Sequence, residues 1–487
     1  MKTALTASIL SLALAAAAVQ AQPYPDVPKA GAARPFTIAK PTVEILPNGL
    51  QVVVVERHSL PIVSAVLLVR SGSELDPPQL AGLAATTADL LTEGVRAGDG
   101  GRAMAAPQIA AAAEALGGSL GSSASWHGST VGITVTTPKL GTALDLVQAV
   151  VRRPAFDAEE IDRNRAQALD GLRVALSQPG TIAGRVATQV VFGSTPYGHS
   201  PSGTPASVER LTRNDIVAFH SRVYRPDNAT LILAGDIRPA DAMKLARQRF
   251  GGWRNPAGST PAEPQSIALP AAPGTPAPIV IDVPGAGQAA GLVVLPSIAR
   301  SASDYFSGLV ANTILGGSYS SRLGTEVRIK RGLSYGATSS LDARRLGGTQ
   351  ALSAQTKNES AYELVDVMRA ELARMSAEPT STEELEARKA TLVGDAGRSL
   401  ETTAGLASRV ADLIIGGVPI EEISSWSQRV QAITPADVQA YAKAHWPADA
   451  AQVIIAGDAG KFGAAAPAEV RRIEVDKLDF DSATLGK

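Results

Sequence analysis

Two hydrophobic rhythms run through this chain. From Val43 to Glu56, apolar positions fall on either side of Asn48-Gly49, which predicts two strands joined by a tight turn. The run from Pro61 to Arg70 is apolar almost throughout, as expected of a central strand with both faces covered. A 3.6-residue period then predicts helices over Gly82 to Gly94 and Pro107 to Leu116, followed by strands at Ser119 to Ser125 and Ser129 to Thr136 and a helix from Leu140 to Val151. The charged stretch Asp157 to Leu176 reads as a long amphipathic helix. A Gly- and Pro-rich loop, Thr195 to Thr204, leads to a helix capped near Thr212, a turn at Arg225 to Asn228 and a strand from Ala229 to Gly235.

This last unit occurs twice. At a shift of 222 positions, Leu211 to Asp236 lies over Ile433 to Asp458 without a gap, and both copies end in Ala-Gly-Asp. Shared helix-turn-strand patterning does not by itself require matching endings, so an internal repeat of about half the chain is the better explanation. The fold class is therefore α+β, in two homologous tandem domains, each a sheet with helices packed on it. The chain divides into an N-terminal segment (1–21), an extended lead (22–42), a first domain (43–254), a Pro/Ala-rich linker (255–278), a second domain (279–460) and a tail of mixed charge without strong pattern (461–487).

In the second domain, strands are expected at Pro278 to Val283 and Gln288 to Leu295, and helices at Glu359 to Met375, after Ser381, at Leu400 to Ile415 and at Ile420 to Val430. Between them lies Gly316 to Gly336, GGSYSSRLGTEVRIKRGLSYG. Ser303 is a candidate cap for the helix before it, Gly316-Gly317 a candidate left-handed stop, and Ser321 to Lys330 a second helix ended by Arg331-Gly332. Leu333 to Tyr335 then reads as the start of a strand running to Leu341, which would bring the Arg331 guanidinium near the Tyr335 phenol, a pair suited to peptide carbonyls.

Composition narrows the function. With a formal net charge of −1, no overall field favours nucleic acid or an anionic membrane. The chain has no cysteine, which excludes disulfides, thiolate metal sites and lipidation at cysteine. The first 21 residues combine Lys2, an apolar run from Ile9 to Val19 and small residues at Val19 and Ala21, the pattern of a secretory signal peptide cleaved after Ala21. Export is expected, into the periplasm if the source is a Gram-negative bacterium, without membrane insertion.

The segment LGGSYSSRLGTEVRIKRGLSY resembles the second-half signature of the pitrilysin-like (insulinase-type) zinc peptidases, the inverzincins. The resemblance extends to PNGLQVVVVE, SGSELDPPQLAGLA, the charged helix, YRPDN and Gln288, and so covers nearly all of the chain after its N-terminal segment. It implies two domains forming half of a clamshell chamber, with Arg331 and Tyr335 holding the substrate backbone. It also implies that an extended peptide pairs along the edge strand at Gly121, Ser122 and Ser123.

The family's metal helix carries two histidines four apart, with a glutamate before the second that activates the metal-bound water. Here Ala85 and Asp89 stand at the histidine positions and Ala88 at the glutamate, while the third ligand falls near Asp170-Gly171, leaving at best Asp170. The five histidines, His58, His127, His199, His220 and His445, include no pair three or four apart, so no metal and no cofactor is expected on this chain. His199 and His220 read as surface or structural residues. No Gly-x-Ser-x-Gly with the right context offers a nucleophile, and His127 lies near the preceding serines only in sequence.

Two readings follow. In the first, the chain is the non-catalytic subunit of a heterodimeric exported peptidase, supplying Arg331 and Tyr335 to a homologous partner whose His-x-x-Glu-His helix holds the zinc. In the second, it is a non-enzymatic peptide-binding or assembly scaffold of the same fold. An active peptidase with an unusual site is a third reading, which a metal analysis of the purified chain would test.

Overall fold

The computed structural model describes residues 38–98, 100–258, 260–261, 274–463, 467–482 and 485–486. The N-terminal segment and much of the linker expected from sequence lie outside the described residues. The first half contains β1 (Thr42–Ile45), β2 (Gln51–Glu56), β3 (Ile62–Val69), α1 (Leu83–Asp89), a short pair β4 (Gly94–Val95) and β5 (Met104–Ala105), and α2 (Ala106–Ala115). Next come β6 (Gly121–Ala124), β7 (Ser129–Thr136), α3 (Leu140–Arg152), α4 (Ala158–Leu176), α5 (Pro179–Phe192), α6 (Pro205–Arg210), α7 (Arg213–Val223), β8 (Ala229–Gly235) and α8 (Pro239–Phe250). Its sheet has the order β1-β2-β8-β3-β7-β6, so the apolar run β3 is central and β6 is an edge.

The second half contains β9 (Ile279–Asp282), β10 (Ala289–Ser297), α9 (Tyr305–Gly316), a π-helix (Gly324–Lys330), β11 (Ala337–Asp342), β12 (Gly348–Thr356) and α10 (Ala361–Ala377). It continues through α11 (Thr382–Ser399), α12 (Thr403–Ile415), α13 (Glu422–Gln431), α14 (Pro435–His445), β13 (Gln452–Gly457) and β14 (Arg471–Glu474). Its sheet order, β11-β12-β10-β13-β9-β14, reads from the far end as the order of the first sheet. The repeat is thus structural. α7 and α14 start at 213 and 435 with Thr212–Asp215 and Thr434–Asp437 capping boxes, so the residues shared between the copies are those that start the same helix. The shared glycine ends the same strand: a Cβ at Gly235 would lie 2.2 Å from the Ile62 carbonyl, and one at Gly457 2.8 Å from Ala289 and Asn358.

Several local readings change. The tail is not patternless: β14 pairs in parallel with β9 and takes the outer place that β1 holds in the first sheet. Four residues at a sheet edge carry too little periodicity to be seen in sequence. α9 is preceded by Asp304, without a side-chain cap from Ser303. Gly316 and Gly317 are not left-handed; Gly317 has φ −79°, and the pair is small because a Cβ on Gly316 would lie 2.3 Å from the Ser339 amide and one on Gly317 2.7 Å from Thr313. α12 begins after a Thr402 cap, not at Leu400.

Each sheet is covered on one face by its own helices and on the other by a helix from the other half. Val52, Val54, Leu231 and Leu233 face a core shared with α3 and α8, whereas Val53, Val55, Ile232 and Ala234 face Leu406, Ala407 and Val410 of α12. Reciprocally, Ile182, Val186 and Phe192 of α5 pack on Ile279, Val294 and Ile454 of the second sheet. This exchange accounts for the unbroken apolar runs of the central strands, which would be exposed on one face in a lone domain. The exchanged helices leave the outer strands partly bare. Among the described residues, no helix is long and apolar enough to cross a membrane.

Candidate functional site

The helix that would carry the metal is α1. Gly82 enters it at φ 95°, and the buried Asp76 carboxylate accepts from the amides of Gly82 (3.0 Å) and Ala84 (2.9 Å), satisfying its first turn. Burial pushes the Asp76 carboxyl well above the usual carboxylate range, against the pull of those amides. The helix ends at Asp89 in a single 3-10 turn, Leu90 to Thr92. The Ser122 hydroxyl of edge strand β6 donates to the Ala88 carbonyl, which ties α1 to the edge where an extended segment would pair.

The donor set on this helix does not fit zinc. Ala85 is half-buried and Ala88 fully buried, and neither side chain can ligate. Asp89 faces α4, where the Asn164 amide hydrogen-bonds to it; partial burial and then the Glu93 charge hold its carboxyl above the ordinary range. The α4 residue opposite Asp89 is therefore Asn164. Asp170, six residues on and about 240° round the helix, is 73% exposed and paired with Arg173. Among the described residues, no three His, Cys, Asp or Glu side chains converge as a metal site would need.

The histidines are spent elsewhere. His58 pairs with Asp236 and Glu56 at the surface, and His445 with Asp304 (2.6 Å). His220 bonds to the Val151 carbonyl (2.8 Å) and stacks on Tyr224, and burial lowers its pKa to about 4. His127 is buried between Glu74 (3.7 Å) and the Tyr197 hydroxyl, while His199 lies 3.9 Å from Asp76, its pKa lowered to about 4 by burial.

In the second half, the segment after α9 forms a π-helix from Gly324, not an α-helix from Ser321. Glycine is required at its start, since a Cβ on Gly324 would lie 2.2 Å from the Tyr319 carbonyl. The wider coil changes which side chains fan outward, and such turns are frequent at functional sites. Arg322 is held by Glu384 in a two-pronged pair (3.1 and 2.9 Å). Arg328 lies between two rings, its guanidinium carbon 4.8 Å from the Tyr319 centroid and 4.6 Å from that of Tyr335. Arg331 turns instead toward Glu326 (3.8 Å) and Glu363 (3.7 Å). The arginine beside Tyr335 is therefore Arg328, which corrects the expected pairing.

In sequence, it is the helix-to-strand junction at Arg331-Gly332 that points to Arg331. The Arg-x-Lys of the same segment, Arg328 and Lys330, is the signal that marks the arginine found beside Tyr335. Gly332, at φ 61°, does stop the helix as expected. The strand starts only at Ala337, however, because the Ser334 hydroxyl closes a small turn on the Gly336 amide and carbonyl. That turn leaves the Tyr335 phenol 80% exposed, beside a cleft of about 430 Å³ bordered by Gln288, Thr338, Gln355 and Gly180 of α5.

Sequence gave no hint of the seam where the tips of hairpins β6–β7 and β11–β12 meet. Arg344, from the second tip, is partly buried over three rings of the first half, at 4.5 Å from Trp126 and 4.9 Å from both Phe192 and Tyr197, and pairs with Asp342 (2.7 Å). The Leu346 amide reaches the Tyr197 phenol, whose pKa burial nonetheless pushes up to about 12. Arg344→Ala is expected to lower unfolding stability by about 2–4 kcal/mol. It should also open the 342–347 turn to limited proteolysis, with Arg344→Lys recovering part of both.

Comparison with known proteins is consistent with this geometry. Residues 51–200 match the model of the insulinase family, peptidase family M16, and residues 210–392 match that of the peptidase M16 inactive domain. The chain is 25% identical over 403 residues to an uncharacterised zinc protease of Streptomyces coelicolor, covering 82% of this chain and 85% of that one. It is 20% identical over 409 residues to a non-peptidase homolog of Helicobacter pylori, covering 82% and 90%. Among solved structures, it resembles a peptidase M16 inactive domain from Pseudomonas fluorescens, with TM-score 0.77 and 25% identity over 86% of this chain and 98% of that one.

Proposed function

The chain belongs to peptidase family M16, the insulinase family, and within that family we propose that it is a subunit that grips extended polypeptide without carrying the metal that cuts it. The observation that carries this reading is an asymmetry. The metal-helix positions are Ala85, Ala88 and Asp89, with Asn164 opposite, whereas Arg328 and Tyr335 remain stacked together with the phenol at the surface. A residue kept only for packing has no need to present its hydroxyl to solvent. A phenol and a guanidinium held side by side are two donors aimed at one region, as recognition of peptide carbonyls requires.

The partner in this proposal is a homologous chain with an intact His-x-x-Glu-His helix. It supplies the metal-bound water, and this chain supplies Arg328, Tyr335 and the open edge at Gly121, Ser122 and Ser123. The N-terminal sequence supports export, and hence an exported partner. Purified alone, the chain is expected to contain no stoichiometric zinc by atomic emission and to cleave no peptide. Mixed with the partner, it should raise the partner's peptide cleavage at least tenfold. Unchanged partner activity with peptide still bound to this chain would instead favour the scaffold reading, and zinc-dependent cleavage by the chain alone would overturn both.

A further inference from the structure

Strand β6 has two faces. Ser122 points toward α1, its hydroxyl on the Ala88 carbonyl, and Leu120 and Ala124 pack toward the same core. Ser119, Ser123 and Ser125 point the other way, into a cleft of about 640 Å³ between the first sheet and α12 of the second half. This cleft exists because α12 covers the central strands and stops short of the outer ones. Its floor is formed by Ser64, Val66, Thr130, Gly132 and Thr134 of β3 and β7, none larger than valine. Its helical wall presents Ala404, Ser408, Ala411, Asp412 and Ile415.

We infer that this cleft is the side-chain selectivity site for polypeptide held on β6, and that it takes large uncharged, above all aromatic, side chains at alternate positions. The inference rests on the peptide-gripping role proposed above. A segment added to the open edge of β6 continues the pleat, so every second side chain lies on the face of Ser119, Ser123 and Ser125. Successive side chains on that face are about 7 Å apart, so a four-residue strand addresses two of them. A cleft of this size, lined mostly by small residues with Ile415 on its helical wall, leaves alanine unsupported and gives a ring flat glycine and threonine surfaces to lie on. Among the described residues, Asp412 is the one ionisable side chain lining the cleft, and it lies near Arg409 and Arg300, which offset its charge. Size therefore decides more than sign.

The test uses the full chain and two labelled ten-residue peptides, one alternating Phe and Ser, the other Ala and Ser, with binding followed by fluorescence anisotropy. The Phe peptide is expected to bind at least tenfold more tightly. Ser408→Trp, at an exposed helical position, should fill the cleft and bring the Phe and Ala peptides to equal affinity. Ala404→Trp, also exposed, provides an independent filling should the first variant misfold. Equal binding of both peptides, or a Phe preference that survives in both tryptophan variants, would overturn the cleft assignment but leave the gripping role intact. Failure of either peptide to bind the wild-type chain would overturn the gripping role, and the cleft with it.

Discussion

Arg328→Ala in this chain is expected to lower kcat of the reconstituted pair by about 10²- to 10³-fold, the usual cost of removing one preorganised donor from a site of developing negative charge. Tyr335→Phe should fall in the same range, because it removes the hydroxyl and keeps the ring that stacks on Arg328. If each group acts in the transition state, kcat and kcat/KM fall together; a rise in KM alone would mean that the pair only binds substrate. Arg331→Ala is the control. Its guanidinium is half-exposed and occupied by Glu326 and Glu363, and exposed ion pairs are worth about 0–1 kcal/mol, so kcat should stay within a factor of about two. A large effect at Arg331 with none at Arg328 would overturn the geometric assignment. The wild-type partner carries the metal in every arm, so the losses measure what this chain contributes.

Acidification is expected to weaken the fold through His220. The ring is buried against Phe156 and Tyr224 and bonded to the Val151 carbonyl, and burial brings its pKa from 6.5 to about 4, with Arg96 adding a small push in the same direction. Unfolded, the same ring takes up a proton near pH 6.5. Between these values the unfolded state holds more protons, so stability is complete above about pH 6.5, falls through the interval and levels off below about 4. The expected loss is about 3 kcal/mol, from 1.36 kcal/mol per pKa unit. Urea titrations at pH 7, 5.5 and 4 measure it, and His220→Phe should flatten the slope while costing some stability at pH 7. An equal slope in that variant would assign the acid sensitivity to other groups. His199 is depressed to a similar degree but lies 3.9 Å from Asp76, whose carboxyl burial pushes up, so proton uptake there is shared and the net loss smaller.

The losses at the metal helix were legible without coordinates, because Ala85, Ala88 and Asp89 sit in an otherwise intact frame, and side-chain chemistry at fixed spacing is a property of sequence. The opposing residue was not. Asn164 and Asp170 lie within two turns of the same helix, and only the rotation of α4 against α1 selects Asn164. Which arginine stands beside Tyr335 was not legible for a related reason. A regular helix ended by Arg331-Gly332 would set Arg331 nearest the phenol, whereas the π-coil over 324–330 and the turn closed by Ser334 bring Arg328 onto the Tyr335 ring, and no composition rule signals that coil.

What the sequence determined by itself is the set of features carried by nearest neighbours along the backbone. These are the Asn48-Gly49 turn, the Thr212 and Thr434 caps, the apolar runs of the central strands and the alternation of the outer ones, and the repeat that makes the two halves alike. Each depends on interactions within a few residues, so the signal survives in one dimension. Only the tertiary structure decided that α5 and α12 trade sheets, that β14 closes the second sheet, that Arg344 enters an aromatic box across the seam, and that a cleft remains beside β6. Those depend on which distant surfaces meet, and a helix with an apolar face records that it must be covered without recording by what.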